Sequence, residues 1–230
     1  MYYNNSAIMP YLSAANTRII EKNAEDIPVL TENISAVESV FSRMQEMYGK
    51  SGYTLDWGTQ TANTVPALIS LIDNKQILFQ NMITSFLRRN YRDVEAIFGV
   101  LPLPKFFAEQ DTYSSNYSQV IMCGFVPITV QNTDPVGYIL EAMADASGNI
   151  TDTYNEVCLS SKFTRDEESY EMLKLAKENI VLDMAFYYGF GDIGNLLNTT
   201  VTMGREFMST FVSQQEATAT AAEKFAAELE

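Results

Sequence analysis

The chain has 230 residues, 47% hydrophobic and 19% charged, a composition that suits a folded globular protein and excludes global disorder. With 29 Asp and Glu against 15 Lys and Arg the net charge is -14, a field that repels phosphate backbones and anionic membrane surfaces. Nucleic acid is therefore excluded as an expected partner, and a neutral ligand is favoured.

The opening stretch MYYNNSAIMPYLSAAN has no basic n-region, no long apolar run and no cysteine to take a lipid. No part of the chain approaches the roughly 20 apolar residues of a membrane span. As written, nothing in it directs export. From Ile34 the apolar residues Val37, Phe41, Met44 and Met47 or Tyr48 follow helical spacing, with Ser35 and Glu38 as a capping box. The polar stretch Ser51 to Gly58 holds Tyr53 and the single tryptophan, Trp57, as well placed for ligand contact as for packing. Ala62, Val65, Leu68, Ile69 and Ile72 form a second helical run, with Pro66 in its first turn and an end near Asp73 and Asn74. Gln76 to Phe79 reads as a short strand feeding a helix over Asn81 to Arg89.

Strands are expected at Ile97 to Leu101, stopped by Pro102 and Pro104, and at Val120 to Val130, with an exposed loop from Phe106 to Ser118 between them. Asp134 and Pro135 make an N-cap and first-turn pair for a helix whose apolar face is Val136, Ile139, Leu140 and Met143, ended by Gly148 and Asn149. A short helix is expected over Asp152 to Ser160. Another opens at Thr164 and Glu167, acidic at its start and with Lys174 and Lys177 near its end, the order the helix dipole prefers. Leu182 to Glu230 holds the aromatics Phe186, Tyr187 and Tyr188, a glycine cluster and an alanine-rich terminal helix. Helices dominate, with a few strands between them and no regular alternation, a pattern that suits helix-rich α/β lobes.

The chain contains no histidine, which removes the commonest general base, every Ser-His or Cys-His pair and most catalytic zinc sites. No specific carboxylate pair stands out among the 29 acids, so the chain is expected not to be an enzyme and to need no cofactor. Gly189 to Gly194 fits G-x-G-x-x-G, but no second parallel strand with a terminal acid follows it. The segment is read as a glycine-hinged turn between helices. Asp145, Ser147, Asn149, Thr151 and Glu156 have calcium-loop spacing, yet Ile150 replaces the required glycine, so a polar interhelical loop is expected. Cys123 and Cys158 lie in unlike surroundings and read as two free thiols.

Several linked segments, in order, carry a resemblance. NKQILFQNMITSFL, DVEAIFGVLPLPKFFAEQDTY, VIMCGFVPITVQNTDPVGYILEAM and YNEVCLSSKFTRDEESYEMLKL, within Asn74 to Leu182, resemble the carbohydrate-specific extracellular solute-binding proteins of bacterial ABC importers. The resemblance implies a type II periplasmic-binding-protein-like fold, two α/β lobes closing on a cleft by hinge motion. The resemblance implies an incomplete form of it, the C-terminal lobe plus part of the N-terminal lobe. Residues 1 to 116 would belong to the second lobe, 117 to 178 would cross into the first, and 179 to 230 would return.

The implied partners are a carbohydrate ligand and the permease subunits, and the implied location is extracellular, with a lipid anchor in the full-length parent. Members of that family are longer and start with a lipoprotein signal. Without the rest of the first lobe, the Val120 strand and the Val136 helix would be left under-covered, and reduced stability or self-association through that surface is expected. Candidate sugar contacts, chosen by residue type and approximate location, are Tyr53, Trp57, Gln80, Asn81, Tyr187, Phe190 and Arg205. The alternative is a non-catalytic helical interaction or scaffold protein, marked by one continuous helical core, whereas strands crossing near residues 117 to 126 would mark the binding protein.

Overall fold

A computed structural model describes residues 2–3, 8–49, 55–56, 64–91, 94–117, 124–154 and 166–228. The chain is helix-rich, with two small two-stranded sheets. In chain order the elements are β1 (Tyr2–Tyr3), α1 (Met9–Ala14), β2 (Ile20–Lys22), β3 (Pro28–Leu30), α2 (Ile34–Gly49), β4 (Leu55–Asp56), α3 (Val65–Asp73) and α4 (Ser85–Asn90). There follow α5 (Asp134–Ala146), α6 (Gly148–Asp152), α7 (Glu167–Glu178), α8 (Met184–Tyr187), α9 (Ile193–Thr202) and α10 (Phe207–Ala227). β1 pairs parallel with β4, and β2 pairs antiparallel with β3 in the register Ile20 to Leu30 and Lys22 to Pro28.

The main core joins the beginning of the chain to its end. Ile8, Leu12, Ile19, Val37, Phe41 and Met44 pack with Phe190, Ile193, Leu197, Val201, Phe207 and Phe211. On α2 the residues Val37, Val40, Phe41 and Met44 recur at helical spacing, so one face of the helix is apolar and buries while the other stays wet. Phe41 meets Phe207 with ring centroids 4.9 Å apart, and Phe207 stacks on Phe211 at 5.5 Å. A separate small cluster centres on Leu68, covered by Ala67, Leu71, Ile72 and Ile77.

Local signals explain where several helices start. Thr64 caps α3 by accepting from the Ala67 N–H at 3.3 Å, with Pro66 in the first turn where its missing N–H costs nothing. Asp166 caps α7 by accepting from the Ser169 N–H at 2.6 Å, so the cap lies two residues beyond the expected Thr164, which is outside the described residues. α2 starts one residue before Ser35, and the Ser35 hydroxyl donates to Asn33 Oδ1 at 3.3 Å, so it lies inside the first turn and does not head a capping box. α5 likewise starts at Asp134, with Thr133 in the cap position and Pro135 in the first turn.

The strands expected at Ile97 to Leu101 and along Val120 to Val130 are corrected. Residues 97 to 101 form no strand, and neither do residues 124 to 130; residues 120 to 123 lie outside the described set. In the first run Ile97 is 95% exposed while Phe98 and Val100 are half-buried, Phe98 edge-on against Tyr91, and in the second Ile128 is 102% exposed. An apolar run becomes a strand when a neighbouring edge supplies hydrogen bonds, and here none does within the described residues. The loop from Phe106 is tied down at its far end instead. Ser115 bridges Ile180, its N–H donating to Asn179 O at 2.9 Å and its O accepting from Val181 N–H at 2.8 Å.

Gly189 and Gly191 both have left-handed φ, 76° and 64°, and make the turn between α8 and α9. At Gly191 an added Cβ would lie 3.1 Å from the Thr218 backbone N, so α10 passes close over this turn. The G-x-G-x-x-G segment is thus a helix-to-helix turn, as expected from the sequence. Of the calcium-loop positions Asp145 lies in α5 and Asn149 and Thr151 in α6, helical where a polar loop is expected, while Glu156 lies outside the described residues; among the described residues no cluster of three or more metal-ligating side chains occurs.

Candidate functional site

The candidate site is a groove of about 620 Å³, open to solvent, between the end of α1, the start of α2 and the loop before residue 113. Its floor is set by the turn after α1, where Asn16 takes a left-handed φ of 53° and Thr17 donates its hydroxyl to Leu12 O at 3.1 Å. Asn adopts this conformation more readily than most residues, so its amide can project at a turn where a bulkier side chain would be strained. The second wall is the first turns of α2, with Asn33, Ser35 and Ser39. The third is the loop carrying Phe107, Glu109 and Asp111.

Gln110 holds the third wall against the first. Its Oε1 accepts from the Phe106 and Phe107 N–H groups at 2.7 and 2.9 Å, and its Nε2 donates to Ala14 O at 2.8 Å. Three of its hydrogen-bonding positions are thus spent on the protein, which makes it a positioning residue. Lys105 reaches Asp111 O at 2.8 Å and lies 5.0 Å from the Tyr113 ring centre, closing the loop on itself. Among the described residues the lining side chains are amides, hydroxyls, two carboxylates, two alanines and one phenyl ring, with no lysine or arginine. Such a surface offers acceptors and donors for hydroxyls and a flat apolar face, and it has nothing to hold an anion.

The seven sequence-chosen residues are distributed differently. Tyr53 and Trp57 lie outside the described residues. Gln80 and Asn81 sit between α3 and α4, half-buried, where Gln80 Oε1 accepts from the Tyr91 hydroxyl and Gln80 Nε2 is buried without a partner. Burial pushes the Tyr91 hydroxyl up to about 12, with the Gln80 bond opposing. Tyr187 donates to Tyr117 O at 2.8 Å, and its hydroxyl is held above the usual tyrosine range by burial and by the Asp183 charge.

Phe190 is 4% exposed in the main core, stacked on Tyr188 and edge-on to Phe225. Arg205 is exposed in the turn before α10, where its carbonyl accepts from Gln45. None of the five described residues lines the groove. The groove residues were missed because they are small polar side chains at helix ends and in a loop, where capping explains them equally well. The segment KFFAEQDTY, the end of one run that carries the resemblance, supplies the groove's third wall.

Comparison with family models, with curated proteins and with solved structures finds no match to this chain.

Proposed function

We propose that the chain is the solute-binding component of a bacterial ABC importer, taking up a carbohydrate for delivery to permease subunits. The fold assigned with it is the type II periplasmic-binding fold in incomplete form, and the location is extracellular, with a lipid anchor in the full-length parent. The observation that carries the reading is the polar groove, whose amides, hydroxyls and carboxylates lie beside Phe107 with no cation among the described lining residues. Neutral polyhydroxylated ligands match that set, because each hydroxyl both donates and accepts while the ring covers the apolar face of a sugar. The net charge of -14 supports the same class, since anionic metabolites are repelled from the whole surface.

The test is calorimetric titration with a panel of neutral mono- and oligosaccharides, repeated on Asn16→Ala and Glu109→Ala. Saturable binding weakened tenfold or more by either substitution is expected. A panel that gives no heat with any member, at protein concentrations well above the micromolar range, overturns the proposal.

A second reading, a non-catalytic helical interaction protein, is favoured by one observation. The main core runs continuously through α1, α2, α9 and α10. Under that reading the groove binds no sugar and the contacts of the chain are with protein.

A further inference from the structure

An exposed apolar surface lies on and around α5, and we infer that it is a self-association face, occupied by α5 of a second copy of this chain. α5 has no buried residue at all. Ile139 is 59% exposed, Leu140 53% and Met143 64%, and the preceding loop adds Phe125 at 88%. At 100° per residue, Val136, Ile139, Leu140 and Met143 fall within one stripe about 100° wide, the arc with which a helix ordinarily packs.

The charges of the helix decide what fits. Asp134, Glu141 and Asp145 fall together on the opposite side of the cylinder, and residues 124–154 contain no lysine or arginine. The stripe therefore carries no charge that a salt bridge could recognise. Two such stripes meeting face to face turn their carboxylates outward, so no like charges are buried at the seam. Gly137, Ala142 and Ala146 border the stripe and let a second backbone approach closely. A cationic amphipathic partner would find the acids on the far side of the helix from its own contact.

Area sets the strength. The exposed stripe offers on the order of 300–400 Å² per copy, so a symmetric pair buries about 600–800 Å² in total, below the usual range of stable specific interfaces. The dimer is accordingly weak and concentration-dependent. Because each copy carries a charge of -14, long-range repulsion opposes the encounter, and added salt relieves it.

Sedimentation velocity on the full chain across a concentration series, at low and high sodium chloride, tests the inference. A dimer fraction that rises with concentration and with salt is expected. Ile139→Asp and Met143→Asp should each weaken it tenfold or more, while Val212→Asp, on the exposed side of α10, should leave it unchanged. All three positions are exposed, and unchanged far-UV circular dichroism verifies that the variants fold. A monomer at every concentration overturns the inference, and so does association that survives Ile139→Asp and Met143→Asp together. Association that weakens with salt also overturns it, because that is the behaviour of contacts between opposite charges.

Discussion

Asp183 shows how much one side chain can hold together. It is 2% exposed, and its carboxylate accepts from Ile19 N–H at 2.7 Å, Ile20 N–H at 3.1 Å and Ala185 N–H at 3.0 Å. It thus caps α8 and fixes the start of β2, more than 160 residues away in sequence, while Arg18 beside it donates to Leu182 O at 3.2 Å. Burial outweighs the three N–H bonds and the Arg18 charge and pushes its pKa up to about 6 from 3.8.

Between those two values the folded chain holds a proton that the unfolded chain has lost. Stability contributed by this group is therefore full below pH ~4, falls as pH rises to about 6 and is flat above, by on the order of 2–3 kcal/mol in total. Urea midpoints measured across that window should show the fall, and Asp183→Asn should flatten it while lowering the plateau, since an amide cannot supply two acceptor atoms. An unchanged slope in the variant would assign the pH dependence to other carboxylates. Thr218 presents the opposite case. It is fully buried in α10 and its hydroxyl has no partner, so Thr218→Val should stabilise the chain by about 1 kcal/mol, read as a raised melting temperature.

At the scale of elements, Gly194 is what lets α8 and α9 pack closely. A Cβ built there would stand 2.8 Å from Phe186 Cδ1 and 2.9 Å from Ala185 O, and the second of these is backbone that cannot swing away. Gly194→Ala should cost about 2–3 kcal/mol by overpacking, measurable by chemical denaturation, whereas Gly137→Ala in α5, with open space around its Cβ, should cost nothing and gain helix propensity. The same contrast separates the helices legible in the sequence from the strands that were not. α2, α3, α5 and α7 announce themselves through apolar spacing, Pro in the first turn or an Asp cap, all of which are local. Residues 97–101 and 124–130 have the residue types of strands, but a strand requires a partner edge, which no local pattern encodes.

For the whole molecule, the core is assembled from the two ends of the chain. Ile8 N–H donates to Asn198 Oδ1 at 3.0 Å, Gln45 Nε2 reaches Thr200 O at 3.4 Å, and Ser169 Oγ accepts from Val100 N–H at 2.9 Å. Residues 124–146, by contrast, are exposed almost throughout. Limited proteolysis should therefore cut first in residues 124–133, and the two products should co-elute under native conditions and separate in urea. Products that part without denaturant would mean that the core contacts between the two ends do not hold the fold.

The sequence by itself determined the helical character of most elements, the absence of histidine, and the apolar face of α5. These are properties of composition and of spacing within a few residues, so they need no knowledge of neighbours. Only the tertiary structure decided that Phe190 is core, that Asp183 joins positions 164 residues apart, and that Asn16, Asn33 and Glu109 share one groove. It also decided that the α5 face meets water rather than the core. The physical reason is common to all of these: burial and convergence depend on which distant surfaces come together, and side chains as small as Asn or Ser carry no periodic signal of the company they keep.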